Sequence, residues 1–408
     1  MFRLPFSFII TGIVGFVLFH VLTLIDFANW IADEPRSPEG LFRVHLLVLG
    51  WATMIAMGAV YQLINVILQK QYFSVKLGFV HYGFFAVGTT GLLIGFFGAD
   101  TMWIAVCAAT AVIGILLFAV NIGITLRSAR QWNAITISTA SAIVCLALTG
   151  LLGAAMGLDM EYGWFGGIHE RLFGAHIWLG TVGWFGTLII GFSFKLLPMF
   201  YLSHHYPTKL QGWISGTWMA AAAVGATSFL LDWQIGKAAG LLLLTAAFAL
   251  YNVHISQIRA HRHKPNPGIG VLWAAGLARV MLVASAAAAL SYLLGADWLP
   301  SVAYTMAIWT YLYGWVALTI MGYMSKIVPF LWWTHKYGSL IGKQKVPTMA
   351  QLLKERPLVW LLGILCAALL LLLAGLGTGA NVVIVVAGCL LSVAALVYMS
   401  CIALVFTR

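Results

Sequence analysis

Charged residues are scarce in this chain: Asp, Glu, Lys and Arg together make up 8% of its 408 residues, whereas 62% are hydrophobic. Soluble globular domains carry about 25% charged residues. So little polar surface cannot cover so large an apolar core in water. A soluble enzyme, a nucleic-acid-binding domain and a disordered protein are therefore excluded. The apolar runs are about 20 residues long and do not alternate, which excludes a transmembrane β-barrel.

Cysteine is scarce as well, and all five cysteines lie in apolar runs. No CxxC pair and no disulfide framework is present, so the sequence predicts buried free thiols. The first apolar run, residues 4–24, is not followed by a small-residue cleavage site. We therefore expect it to be a retained span and not a removed signal peptide.

Long apolar runs dominate what remains, and they predict an all-α polytopic membrane protein that forms a single transmembrane domain, 1–408. Turns and charge clusters separate twelve spans. Their predicted ranges are 5–27, 43–68, 77–97, 101–126, 134–156, 174–200, 210–231, 236–257, 270–294, 302–330, 357–376 and 380–405.

The distribution of charge predicts the orientation. One set of loops contains thirteen of the basic residues, and the opposite loops contain only Arg36, Arg43, Arg171 and Lys237. The basic side is expected to be cytoplasmic, which places both termini inside and the protein in the cytoplasmic (inner) membrane. The basic cytoplasmic loops therefore explain the net charge of +11 without a nucleic-acid partner. The expected environment of the protein is the lipid bilayer. The acidic residues predicted outside are Asp26, Asp33, Glu34, Glu39, Asp100, Asp159, Glu161, Glu170, Asp232 and Asp297; only Glu355 lies inside.

The second, sixth and tenth spans share a motif. Gly-Trp recurs at Gly50, Gly183 and Gly314, with spacings of 133 and 131 residues. A further glycine follows eight residues later in each copy. A match at a single position is expected by chance in a glycine-rich chain. Three copies that match at several positions with a near-constant period are not. The motif predicts a unit of four spans used three times, at about 1–132, 133–265 and 266–408.

Twelve spans in three pseudo-threefold-related four-helix units, with the second helix of each unit innermost, resemble subunit I of the heme-copper oxidase superfamily. The histidine and Gly-Trp pattern of the inner spans is most similar to its short branch, which contains cbb-type oxidases and nitric-oxide-reductase-like proteins. The resemblance in architecture covers the whole chain, and the motif covers the three inner spans. The resemblance implies heme binding by histidines on the inner helices.

Two of the eleven histidines stand out, because each lies just inside the outer end of an inner span. His45 comes five residues before Gly50, and His176 comes seven residues before Gly183. Imidazole is a common ligand of heme iron. Packing alone is the expected role of His81 and His254, the role of His20 stays open, and the loop histidines are expected to be solvated.

The resemblance is incomplete. In the family a second-span histidine binds the low-spin heme, which His45 matches, and a sixth-span histidine binds copper, which is the helix that carries His176. The tenth span normally supplies two heme ligands, but residues 307–310 contain no histidine. The start of the seventh span, residues 213–218, lacks the further copper ligands. A bound copper ion is therefore not expected, and the chain is not expected to be a terminal oxidase by itself.

The remaining pair suggests one heme b with His45 and His176 as axial ligands, near the outer surface. Heme propionates need donors on that side, and two of the four outer basic residues, Arg43 and Arg171, lie two and five residues before the histidines. The alternative is that both are ordinary snorkelling or interfacial arginines.

The predicted function is a membrane heme protein for electron transfer, gas or redox sensing, or respiratory-complex assembly, with an electron-donor or respiratory protein as partner. One alternative is a nitric oxide or oxygen reductase that completes its ligands with a partner chain. Another is a heme-free transporter or a factor that handles copper or heme.

Overall fold

A computed structural model describes residues 3–32, 36–295 and 302–408. Asp33, Glu34 and Asp297, which the charge pattern places outside, lie beyond the described residues. All regular structure within the described ranges is helical, apart from a single antiparallel β-bridge between Ser203 and Arg262.

Twelve long helices cover the described ranges, and each overlaps one predicted span. Eleven are long and apolar enough to cross a membrane. The exception is α7, which is rich in glycine, serine and threonine. The polytopic helical class is confirmed, while the twelve spans and their three four-helix units stay a prediction. The helices are α1 (Arg3–Ile25), α2 (Pro38–Leu68), α3 (Val75–Gly98), α4 (Thr101–Ala129), α5 (Ala134–Tyr162), α6 (Gly166–Tyr201), α7 (Lys209–Leu230), α8 (Gln234–Ala260), α9 (Ile269–Leu293), α10 (Val302–Leu340), α11 (Glu355–Thr378) and α12 (Asn381–Thr407).

Short polar side chains set where several helices begin. Asp100 accepts a hydrogen bond from the backbone N–H of Trp103 at 2.9 Å and so caps α4. Asn133 accepts from the N–H groups of Ile135 and Thr136 at the start of α5. These bonds satisfy donors that the first helical turn leaves open.

The Gly-Trp motif coincides with a local change of helix type. Eight-residue π-helical segments occupy Leu46–Thr53 in α2, Leu179–Gly186 in α6 and Thr310–Ala317 in α10. Their first residues are separated by 133 and 131 residues, as in the sequence motif. In a π-helix each backbone hydrogen bond spans five residues along the chain. Such segments are rare, and those that occur are often at functional sites. The repeat in the sequence is therefore accompanied by a repeat in backbone conformation.

The second glycine of each copy touches the helix that precedes its own. A Cβ atom on Gly58 would lie 2.9 Å from Cβ of Phe8 in α1, and one on Gly191 would lie 2.6 Å from Cβ of Ser138 in α5. One on Gly322 would lie 2.5 Å from the carbonyl oxygen of Gly270 in α9. Small residues permit such close helix packing in membranes. The same packing contact thus recurs with a period of about 131 residues.

The three helices with the motif are also the most buried. In their most apolar stretches 72–78% of the residues are buried, against 33–50% in the other eight apolar helices. Trp51, Trp184 and Trp315 of the motif are at most 1% exposed. Burial of this extent is what inner helices require.

The chain divides into two compact units. Unit 1 comprises Met1–Ala59, Asn266–Leu277 and Pro300–Arg408, and unit 2 comprises Val60–Pro265 and Ala278–Leu299. In unit 1, α12 packs against both α1 and α11; in unit 2, α3 to α8 pack in sequence order. The three predicted repeat boundaries divide the chain differently and stay a prediction.

Candidate functional site

His45 is the residue immediately before the π segment of α2. It is half-buried, and its Nδ1 lies 2.7 Å from the carbonyl oxygen of Leu41, one turn earlier in the same helix. A carbonyl only accepts, so Nδ1 carries the proton and the lone pair of the neutral ring is on Nε2. Metal-binding histidines are commonly oriented by a hydrogen bond of this type.

His176 lies three residues before the π segment of α6 and is also half-buried. Its Nδ1 donates to the carbonyl oxygen of Thr149 in α5 at 2.9 Å. A Cβ atom on Gly153 would be 3.0 Å from Cε1 of the ring. The ring therefore lies on α5 where glycine leaves room for it, and its lone pair is again on Nε2.

The two histidines are not equivalent positions of the repeat. Counted back from the π segments, His45 corresponds to Trp178 and Trp309, whereas His176 corresponds to Arg43 and Ala307. A shift of two residues turns a side chain by about 200° around the axis of an α-helix. When the two π segments are aligned, the rings of His45 and His176 therefore project from different sides of their helices.

Arg43 is only 5% exposed. Its Nη2 donates to Oδ2 of Asp26 at 2.5 Å and to Oε1 of Glu39 at 2.9 Å, and the guanidinium carbon lies 5.8 Å from the ring centre of Trp30. Its Nε and Nη1 are buried without a hydrogen-bond partner. Buried donors without an acceptor are costly, so these two nitrogens are suited to bind one.

Arg171, the second predicted propionate partner, is exposed on α6. Its positive charge acts on Asp232, which lies between α7 and α8. A hydrogen bond from Nζ of Lys237 at 2.7 Å is the main reason that the pKa of Asp232 is lowered, and the charge of Arg171 adds to it. Arg171 thus faces an exposed loop.

Asp26 has a pKa above its usual range, because burial opposes ionisation more strongly than the nearby Arg43 favours it. The folded protein then holds the Asp26 proton more tightly than the unfolded chain, so the contribution of Asp26 to stability falls as pH rises through its folded pKa. We expect Asp26→Asn to gain stability relative to the wild type between about pH 4 and pH 7. Melting temperatures measured across that range check the expectation.

Asp232→Asn is the matched control with the opposite sign. Its lowered pKa means that ionised Asp232 stabilises the folded state above the pKa of the unfolded chain, and that this contribution is lost as pH falls. This variant should therefore lose stability relative to the wild type only as pH rises to about 5, where the carboxyl of the unfolded chain has ionised, and the difference should stay level above that pH. Parallel curves for the two variants would contradict both assignments.

Three other buried histidines have partners that the sequence does not reveal. His20, whose role the sequence leaves open, is bonded on both sides, by Nδ1 to Oγ of Ser392 at 3.0 Å and by Nε2 to Oη of Tyr313 at 3.2 Å. His81 pairs with Oη of Tyr61 at 3.2 Å, and His254 lies 3.3 Å from the amide nitrogen of Gln211. These bonds join helices, and a packing role accounts for them.

Clusters of three or more His, Cys, Asp or Glu side chains that would suit a metal ion are absent from the described ranges. This finding does not test the expectation about copper, which stays a prediction. The two candidate heme ligands need no such cluster.

Comparison with known proteins adds no assignment. No protein-family model matches the chain, and no curated protein is significantly similar to it.

Proposed function

We propose that the protein is a membrane-embedded heme b protein in which His45 and His176 are the axial ligands of one heme. The observation that carries the proposal is shared by the two rings: a backbone carbonyl holds the Nδ1–H of each, at 2.7 Å in His45 and 2.9 Å in His176. Each ring is thereby fixed in the tautomer whose Nε2 is the ligating nitrogen.

The local backbone supports the same reading. Each histidine precedes a π segment by one to three residues, and π segments are frequent at functional sites. The third segment is preceded by Trp309 and Ala307 at the corresponding positions, neither of which binds iron. One pair of ligands, and so one heme, is the expectation.

Arg43 fits a heme propionate in part. Its buried Nε and Nη1 have no acceptor, and a carboxylate would supply one. However, Asp26 and Glu39 already place two carboxylates beside this single guanidinium. A third carboxylate is best accommodated when Asp26 holds a proton, which its raised pKa favours. Propionate binding at Arg43 would therefore be coupled to the uptake of a proton by Asp26.

Heme supplies reversible one-electron chemistry when it is bound. With His45 and His176 both holding the iron, no coordination position would remain for a gas, so this pair of ligands favours electron transfer or redox sensing over the reduction of oxygen or nitric oxide. A role in assembling a respiratory complex would use the same site. For each of these roles the proposed partner is a respiratory or electron-donor protein, and the proposed location is the cytoplasmic membrane.

The experiment is a visible spectrum of the purified full-length protein, oxidised and reduced, combined with iron and copper analysis. We expect one low-spin heme b per chain and no stoichiometric copper. Heme together with copper and consumption of gas would favour the alternative of a reductase completed by a partner chain. A colourless protein after expression with sufficient heme would overturn the proposal and favour a heme-free transporter or a factor that handles copper or heme.

A further inference from the structure

The loops after α6 and α8 are joined at one end of unit 2, the end where the charge pattern predicts the cytoplasm. Ser203 and Arg262 form an antiparallel bridge, and Oγ of the buried Ser203 donates to the carbonyl oxygen of Ile258 in α8 at 2.8 Å. The N–H of His263 donates to the carbonyl oxygen of Leu202 at 3.3 Å. These bonds fix the two loops side by side, so residues next to the bridge have defined positions relative to one another.

Each of the two loops carries two exposed histidines. His204 and His205 follow α6, and His261 and His263 follow α8. The ring centres of His204 and His263 lie 5.6 Å apart. Both residues flank the bridge, one on each side of it, so their side chains project from the face opposite to that of the buried Ser203. The pairing of the backbones therefore accounts for the contact between these two rings.

The separation of the two rings is close to that of two imidazoles bound to one metal ion. A Zn–N bond of about 2.0–2.1 Å puts the centre of an imidazole ring about 3.2 Å from the ion. Two such ring centres are then about 5.2 Å apart at the angle of a tetrahedral site. The observed separation is 5.6 Å, and both side chains are exposed and can turn. The backbone thus already holds the rings at the spacing that a shared ion requires.

The charges near the two rings restrict the kind of ion that can bind. Arg262 belongs to the bridge itself, so its side chain leaves on the face away from the rings, and its Nη1 donates to the carbonyl oxygen of Arg259 at 2.6 Å. Lys264 is exposed and follows His263 directly. These cations disfavour Mg²⁺ and Ca²⁺, which need carboxylate oxygens. Neutral imidazole instead binds zinc, copper and nickel through a nitrogen lone pair.

We propose that His204 and His263 bind one divalent transition-metal ion, such as Zn²⁺, between the loops after α6 and α8. The described ranges bring no third His, Cys, Asp or Glu close enough to complete a cluster. Water molecules therefore fill the remaining coordination positions, and the ion can exchange with the solution. The bound ion links the end of α6 to the end of α8, and it stabilises the folded protein because the unfolded chain does not hold the two rings together.

The test uses the full-length protein in detergent, purified without a polyhistidine tag. Affinity for Zn²⁺ is measured by competition with a chromophoric chelator, and the melting temperature is measured with Zn²⁺ and with EDTA. We expect Zn²⁺ to raise the melting temperature of the wild type. His204→Ala and His263→Ala should each weaken binding at least about tenfold, because the loss of even an outer partner of a metal ligand has an effect of that size.

Bound Cu²⁺ gives a second measurement that does not depend on stability. Its electron paramagnetic resonance spectrum should show two imidazole nitrogens in the wild type and one in either single variant. All variants should melt at the wild-type temperature in EDTA, since the substituted side chains are exposed.

His205→Ala and His261→Ala are the matched controls, because each removes an exposed histidine from the same loop as one of the proposed ligands. Both should keep the wild-type affinity, the Zn²⁺-dependent rise in melting temperature and the two nitrogens around Cu²⁺. The proposal is wrong if Zn²⁺ does not stabilise the wild type. It is also wrong if either control weakens binding as much as the loss of His204 or His263 does, since the loop histidines would then bind metal without the pairing seen at the bridge.

Discussion

Replacement of His45 or His176 by alanine is expected to convert the proposed low-spin heme into a high-spin, five-coordinate form, and replacement of both should prevent heme binding. Each single variant keeps one ring that its carbonyl partner still orients, Leu41 for His45 and Thr149 for His176. The apparent affinity for heme should fall at least about tenfold in each single variant. Oxidised and reduced visible spectra and heme content per chain measure the effect.

Added imidazole should restore the low-spin spectrum of each single variant, because the small ligand fits the space that the ring leaves. The matched control is His261→Ala. His261 is exposed, and its Nδ1 bonds the carbonyl oxygen of Gln257 one turn back at 2.9 Å, which is the geometry of His45 without its position beside a π segment. This variant should keep the wild-type spectrum. Unchanged low-spin spectra in both single variants would remove His45 and His176 from the site.

A second large effect is expected for Gly322→Ala in α10. The added Cβ would lie 2.5 Å from the carbonyl oxygen of Gly270 in α9, and backbone atoms cannot rotate away as a side chain can. The two helices would have to separate, at a cost of about 3 kcal/mol. Thermal unfolding of the purified protein in detergent, followed by helical circular dichroism, measures the loss of stability.

Gly276→Ala tests whether that loss comes from the contact or from the substitution itself. Gly276 lies in α9, is exposed, and has no atom within 4 Å of the position that a Cβ would take. Alanine favours helix more than glycine does, so this variant should be as stable as the wild type or slightly more stable. An equal loss of stability in both variants would show that the close approach of α9 and α10 is not what matters at Gly322.

The sequence predicts the helical elements well, because about 20 apolar residues are what a bilayer requires. Every predicted span overlaps a long helix, and the Gly-Trp copies at Gly50, Gly183 and Gly314 coincide with the three π segments. The helix type itself was not predicted. Periodicity shows which residues share a face, but it does not distinguish bonding to the fourth residue from bonding to the fifth.

The candidate site, too, was predicted from the sequence only in part. Position along the inner helices was enough to select His45 and His176, but not to find the carbonyl groups that orient them. The acceptor for His176 is 27 residues away on α5, and the partners of His20 are 293 and 372 residues away. The carboxylates beside Arg43 were likewise seen only as outer acidic residues. Such pairings depend on tertiary packing, about which a single sequence carries no signal.

The glycine contacts between α1 and α2, α5 and α6, and α9 and α10 have a consequence for biogenesis. Each joins two helices that are consecutive in the chain, so it can form as soon as the second helix of the pair leaves the ribosome and enters the bilayer. Contacts of short sequence separation form early and expose little unpaired surface while synthesis continues. Three such hairpins, made one after another, would give a nascent chain firm local structure before its remaining helices are translated.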